Sequence, residues 1–277
     1  MKKYLAGILL AVLVLALAAC GTSDKNNTSG GKEESTKLVV GATSVPHALI
    51  LEQAKPLLEE KGFELEIEEY QDYILPNKDL DAGTLDANFF QHIPYFETQM
   101  ADFGYEFANA GAIHIEPIGV YSKKYKALDE LPDGATVLIS NSVADHGRVL
   151  SMLEKEGLIT LADGVEKVKA ELDDIVDNPK NLQFEAEYEA ALMPELYKQN
   201  EGDLLLINSN YALDAGLNPL EDAIALEESD SPYVNIIAVR AGDEDRKAIK
   251  ALVEVLTSEE IQDYILKEWG GSVVPVK

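Results

Sequence analysis

From Lys37 to the C-terminus, segments of strand length alternate with segments of helical periodicity, and this alternation narrows the available folds more than any other feature. Lys37-Leu-Val-Val-Gly-Ala-Thr43 is a short apolar run closed by small residues, the pattern of a buried strand. His47 to Lys61 then places Leu51, Ala54, Leu57 and Leu58 at helical spacing, with Pro56 as a local disturbance and Gly62 as the stop. Phe63 to Tyr70 alternates apolar residues with Glu, as a strand with one wet face does. The same reasoning predicts strands at 106–112, 118–121, 136–139, 183–187, 204–207 and 234–240. Helices are expected at 148–156, 164–173, 187–199, 243–256 and 259–269. Such alternation favours an α/β fold with mostly parallel sheets covered on both faces. In these sheets ligands sit beyond the carboxyl ends of the strands, so the strand–loop junctions are where a site should lie.

The N-terminal segment has a different character. Lys2 and Lys3 precede fifteen residues, Leu5 to Ala19, that are apolar apart from Gly7, and the run ends in Leu17-Ala-Ala-Cys20-Gly21. This is the charged, apolar and small-residue succession of a secretory signal peptide. With Cys in place of Ala at the cleavage point, it resembles a bacterial lipobox. Residues 1–19 are thus read as a signal peptide and Cys20, the sole cysteine, as the lipidated N-terminus of the mature chain. The run is short of the roughly 20 apolar residues that a membrane-spanning helix needs. Residues 20–36 lack periodicity and are rich in Ser, Thr, Asn, Gly and Lys, the composition of a flexible tether. The expected location is the extracytoplasmic face of the cell membrane, held by acyl chains.

Charge excludes one class of partner. The chain carries −27, and loss of Lys2 and Lys3 makes the mature form −29. A surface this acidic repels phosphate backbones, so no nucleic-acid partner is expected. No nucleophile elbow, HExxH, P-loop or GxGxxG occurs, and with Cys20 lipidated no thiol remains for metal. His114-Ile-Glu116 could place two ligands on one strand face of a zinc site, but a polar strand edge explains the pair more simply, and neither a metal nor a cofactor is assigned.

Several strings stand out at strand–loop junctions: Tyr70-Gln-Asp-Tyr-Ile-Leu-Pro-Asn77, Asp86-Ala-Asn-Phe-Phe-Gln-His-Ile-Pro-Tyr95, Asn141-Ser-Val-Ala-Asp-His-Gly-Arg148, Ile207-Asn-Ser-Asn-Tyr211 and Ser231-Pro-Tyr-Val-Asn-Ile-Ile237. Together with the lipobox, Pro46-His47, His114-Ile-Glu-Pro117 and Asn178-Pro-Lys-Asn181, they resemble the NlpA family of methionine-binding lipoproteins, which serve ABC importers. The resemblance implies a two-lobed periplasmic-binding-protein fold of type II with the ligand in the cleft. One lobe would comprise residues 37–119 plus 232–277 and the other 120–231. It implies a receptor that catalyses nothing and hands methionine or a related amino acid to an ABC permease and its ATPase. It further implies ligand contacts at Tyr73, Phe90, His92, Tyr95, Arg148, Asn208 and Asn235.

Those residue types suit the ligand. Arg148 supplies a planar donor pair for a carboxylate. The rings of Tyr73, Phe90, His92 and Tyr95 can wall a thioether, and Asn208 and Asn235 add hydrogen bonds without net charge. One stretch departs from the family pattern: where Asn-Asp-Pro-Thr-Asn is usual, this chain has Asn141-Ser-Val-Ala-Asp145. Asp145 is therefore a candidate specificity residue, able either to compete with a ligand carboxylate for Arg148 or to pair with a ligand ammonium. A different amino acid or a methionine-containing dipeptide stays open as the ligand. A metal-binding lipoprotein using His47, His92, His114 or His146 and a surface interaction protein are the other classes.

Overall fold

Valine- and leucine-rich runs form the buried strands of two sheets, and the amphipathic runs between them form the helices that cover those sheets. The structure is a computed structural model and describes residues 35–229 and 231–276; the signal peptide, Cys20 and nearly all of the tether lie outside the described residues. Along the chain the strands are β1 (Lys37–Thr43), β2 (Glu64–Tyr70), β3 (Ala87–His92), β4 (Phe107–Ile115), β5 (Gly119–Tyr121), β6 (Thr136–Ser140), β7 (Thr160–Leu161), β8 (Ile175–Asp177), β9 (Gln183–Tyr188), β10 (Leu204–Ile207), β11 (Ala225–Leu226), β12 (Val234–Arg240) and β13 (Val274–Pro275). The helices are α1 (Leu49–Glu60), α2 (Leu75–Asp81), α3 (Ile93–Phe103), α4 (Val143–Lys155), α5 (Met193–Lys198), α6 (Ser209–Asp214), α7 (Pro219–Asp222), α8 (Lys247–Leu256) and α9 (Glu259–Trp269).

Two sheets organise two lobes. The first has the order β13-β4-β12-β3-β1-β2, the second β11-β5-β10-β6-β9, and β7 pairs with β8 in a small ribbon. The sheets repeat one scheme. In the first, β2, β1 and β3 are parallel neighbours and β12 runs antiparallel between β3 and β4. In the second, β9, β6 and β10 are parallel neighbours and β5 runs antiparallel between β10 and β11. Strand periodicity feeds both faces. In β12, Ile237 and Val239 enter a core with α1, α8 and α9, while Ile236 and Ala238 pack on the α2 and α3 side. In β10, Leu204 and Leu206 meet α4, whereas Leu205 and Ile207 meet α5 and α6.

Three expectations need correction. Residues 164–173 form no continuous helix, only single tight turns at Lys167–Lys169 and Leu172–Asp174. This segment lies across α4 so closely that a Cβ on Gly147 would sit 2.5 Å from the Lys167 carbonyl oxygen. Residues 187–199 divide between the end of β9, a turn and the short α5. Phe90 and His92, where no strand was expected and their string was placed only at a strand–loop junction, lie in β3, a fully buried strand between β1 and β12. Its polar residues masked it. Asn88 and Gln91 each donate to Asn77 Oδ1 at 2.8 Å, so their burial is satisfied. Pro56 lies within α1, which runs on to Glu60.

Candidate ligand-binding site

The segments that contribute to the site meet their sheets where the parallel strands end and the antiparallel β12 begins. Tyr73 follows β2, His92 closes β3 and caps α3, Glu116 follows β4, and Asp145 and Arg148 occupy the start of α4 after β6. Asn208 follows β10 and precedes α6, and Asn235 lies at the beginning of the antiparallel β12. The seven residues expected to bind ligand, together with Asp145, line one cavity. Gln91, Glu116, Ser209 and Asn210 complete the lining.

One wall of the cavity is aromatic. The Tyr73 ring centroid is 5.9 Å from those of both Phe90 and Tyr95, and Tyr211 lies 4.9 Å from Tyr73 on the other side. Tyr95 donates its hydroxyl to the Tyr73 carbonyl at 2.9 Å, and Tyr73, which follows β2 of the first sheet, donates at 2.6 Å to Oδ1 of Asn210, which follows β10 of the second. Burial pushes both phenols up, so both remain protonated donors.

Joined to this wall through His92 is a charged group. Arg148 Nη2 lies 2.6 Å from Asp145 Oδ1, one turn apart on α4, and His92 Nε2 lies 3.0 Å from the same oxygen. The Tyr95 backbone N–H donates to His92 Nδ1 at 3.1 Å, which assigns the ring proton to Nε2, facing Asp145. Asn208 Nδ2 donates to Asp145 Oδ2 at 3.3 Å. Burial alone would raise the Asp145 carboxyl, but the Arg148 charge and the His92 hydrogen bond outweigh it and hold that carboxyl well below the usual range. Burial likewise works against the Arg148 cation, and Asp145 and Glu227 override it. Arg148 Nη1 reaches the Glu116 carbonyl and Glu227 Oε2, both at 3.4 Å, and the guanidinium lies over the Tyr233 ring. Among the buried polar atoms here without a protein partner are Arg148 Nε, Asn208 Oδ1 and the Tyr233 hydroxyl.

Beside this group lies a second buried one. His114 Nε2 is 2.7 Å and His47 Nε2 is 3.1 Å from Glu116 Oε1, and His47 also meets Asn235 Oδ1 at 3.0 Å and Thr43 Oγ1 at 2.8 Å. Burial pushes His47 down to about 4 and His114 down to about 3, and it pushes the Glu116 carboxyl up. The two neutral imidazoles thus donate to one carboxylate oxygen. Among the described residues these three side chains are the group whose donor atoms, all within 4.8 Å, could hold a metal ion. His114 and Glu116 were the pair legible in sequence; His47 arrives from the end of β1. His146 bonds the Ser140 carbonyl instead, and His92 turns to Asp145.

Sequence reasoning did not single out Asn210, Tyr211, Glu227 or Tyr233. Asn210, Tyr211 and Tyr233 fall within the strings quoted above, but a sequence does not say which of several adjacent polar residues faces inward. Glu227 offered no signal at all.

The two-lobed α/β architecture with its cavity between the lobes is that of the periplasmic binding proteins. Residues 38–277 match the model of the NlpA lipoprotein family, and the chain belongs to that family. It is 50% identical over 278 residues to the methionine-binding lipoprotein MetQ of Bacillus subtilis, spanning 100% of this chain and 99% of that protein. It is 39% identical to the D-methionine-binding lipoprotein MetQ of Salmonella typhimurium, over 94% of this chain and 93% of that one. Among solved structures, a pheromone cOB1 precursor/lipoprotein of the YaeC family from Enterococcus faecalis superposes with a TM-score of 0.84 at 56% identity, covering 87% of this chain and all of that one. A nutrient-binding protein from Burkholderia cenocepacia bound to methionine superposes with a TM-score of 0.82 at 40% identity, covering 87% and 100%.

Proposed function

We propose that this protein is the solute-binding lipoprotein of an ABC importer, capturing methionine or a closely related amino acid and delivering it to the permease and its cytoplasmic ATPase. The observation that carries this reading is the cavity's lining: an aromatic wall and, joined to it, an Asp145–Arg148 pair with the unpartnered Arg148 Nε and Asn208 Oδ1. A methionine zwitterion complements both. Its thioether lies against Tyr73, Phe90, His92 and Tyr95, where each sulfur–ring contact is worth about 0.3–1.5 kcal/mol. Its carboxylate takes Arg148 Nε, its ammonium takes Asp145 and Asn208 Oδ1, and Asn235 completes the set. The names of the Bacillus and Salmonella relatives favour methionine, with either hand of the α-carbon open.

In this reading residues 37–119 plus 232–277 form one lobe and 120–231 the other, closing around the solute by a population shift. Residues 1–19 are removed on export and acylated Cys20 holds the mature chain on the outer face of the cell membrane. The protein binds and delivers; it transforms nothing. Calorimetry on the mature chain carrying Cys20→Ser, freed of bound solute by unfolding and refolding, tests the proposal. L- or D-methionine should bind, and Arg148→Ala should weaken binding about 100-fold, in line with the cost of unpairing a buried charge. A refolded chain that binds no amino acid would refute the receptor reading.

A further inference from the structure

We propose that His47, His114 and Glu116 form a binding site for a divalent cation of the zinc class, set behind the wall of the amino-acid cavity. The proposal goes beyond the receptor reading and does not depend on it. Two imidazoles and one carboxylate are a ligand set that zinc takes in proteins. Here they converge within one lobe: His47 from the turn after β1, His114 from β4 and Glu116 from just beyond it. None of the three is more than 6% exposed. Both Nε2 atoms face Glu116 Oε1, at 3.1 Å from His47 and 2.7 Å from His114. A zinc ion with bonds of about 2.0–2.2 Å holds tetrahedral ligand atoms about 3.3–3.6 Å apart, so these separations need open by only a few tenths of an ångström. Asn235 Oδ1, 3.0 Å from His47 Nε2, is in reach as a fourth and neutral oxygen.

The protons of the two rings can make way for an ion. Ligation through Nε2 requires each ring to carry its proton on Nδ1 instead. Thr43 Oγ1 lies 2.8 Å from His47 Nδ1 and can accept that hydrogen bond. His114 Nδ1 is buried without a protein partner, so a proton placed there displaces no existing bond. Each ring thus keeps one proton and turns a lone pair to the ion. Burial keeps both imidazoles neutral, as metal ligands must be. Neutral rings leave the buried Glu116 carboxylate without a cation in contact, since Arg148 meets its backbone carbonyl instead. A divalent ion supplies the missing charge. Glu116 and Asn235 also line the amino-acid cavity, which gives an ion its way in. The other two histidines are engaged elsewhere, His92 with Asp145 and His146 with the Ser140 carbonyl.

Calorimetric titration of zinc into the refolded, chelator-treated mature chain carrying Cys20→Ser tests this. One zinc per chain should bind with a Kd of about 10 μM or tighter, and His114→Asn and Glu116→Gln should each weaken it at least tenfold. The chain's 50 acidic residues can hold cations loosely at many places, so binding weaker than that, or without one-to-one stoichiometry, overturns the proposal. A loss of less than tenfold in either folded variant overturns it as well. Should neither variant fold, X-ray absorption of the zinc-loaded chain decides. Two imidazole nitrogens at about 2.0–2.1 Å support the site, and fewer than two refute it. Methionine binding by the same chain without zinc reports on the receptor reading separately, so either can fail alone.

Discussion

Two histidines at the heart of the first lobe show how a single side chain can tie stability to pH. Burial holds His47 at about 4 and His114 at about 3, whereas both titrate near about 6.5 in an unfolded chain. Between pH 6.5 and 4 the unfolded chain binds protons that the folded chain refuses. Stability is therefore complete above pH 6.5 and falls as pH falls, by about 1.4 kcal/mol per pH unit for each histidine. Glu116 acts oppositely: pushed up by burial, it takes its proton earlier in the folded state and softens the decline as pH approaches 4.5. Urea unfolding at pH 7, 6 and 5 should show the midpoint dropping, and His114→Asn should make the drop shallower. A midpoint constant over this range would show that the imidazoles are not held neutral. The sequence placed His114 and Glu116 two residues apart on one strand face, but His47 lies nearly seventy residues away and joins them only because β1 and β4 belong to one sheet.

At the scale of elements, what was legible is what periodicity alone dictates. The strand at 234–240 and the helix at 259–269 fall where their patterns place them, because each buries one side or both against apolar neighbours. Elements shaped by the site were harder to read. β3 carries Asn88, Gln91 and His92, which look like loop residues until their partners Asn77, Tyr95 and Asp145 are in view. The helical spacing at 164–173 gave way because that stretch packs its backbone onto Gly147. Gly147→Ala is thus predicted to destabilise the second lobe by about 1–3 kcal/mol, since the new methyl meets carbonyl groups of Lys167 and Val168 rather than flexible side chains. Thermal unfolding would show it, and an unchanged midpoint would mean that the 164–173 segment yields freely. Position 147 lies between Asp145 and Arg148, so a displaced segment should also weaken ligand binding.

Across the whole molecule, specific side-chain contacts join the elements of one sheet to those of the other. Among them, Tyr73 to Asn210, His92 to Asp145, and the Tyr211 hydroxyl to the Gln71 carbonyl at 3.3 Å each join a segment of the first sheet to one of the second. Tyr73→Phe keeps the aromatic wall and removes one bridge worth about 0.5–1.5 kcal/mol. Its expected effect is a ligand dissociation rate faster by about 3- to 10-fold with little change in association, measurable by stopped-flow fluorescence. An unaltered rate would mean that this bridge does not contribute to closure. The sequence named the wall residues but not the bridges, because Asn210 and Gln71 acquire partners only when the two sheets face each other.

The placement of β12 has a consequence for how such a chain is made. This strand comes late, at Val234–Arg240, yet it fills the lane between β3 and β4 in the middle of the first sheet. Until it arrives, the first hundred residues of the body can pair β1, β2 and β3 but cannot bring β4 into register. Even then the first sheet is unfinished, since its edge strand β13 and the helices α8 and α9 that cover it come later still. The topology that lets two sheets share a cleft thus also delays knitting the first one together until most of the chain has been made.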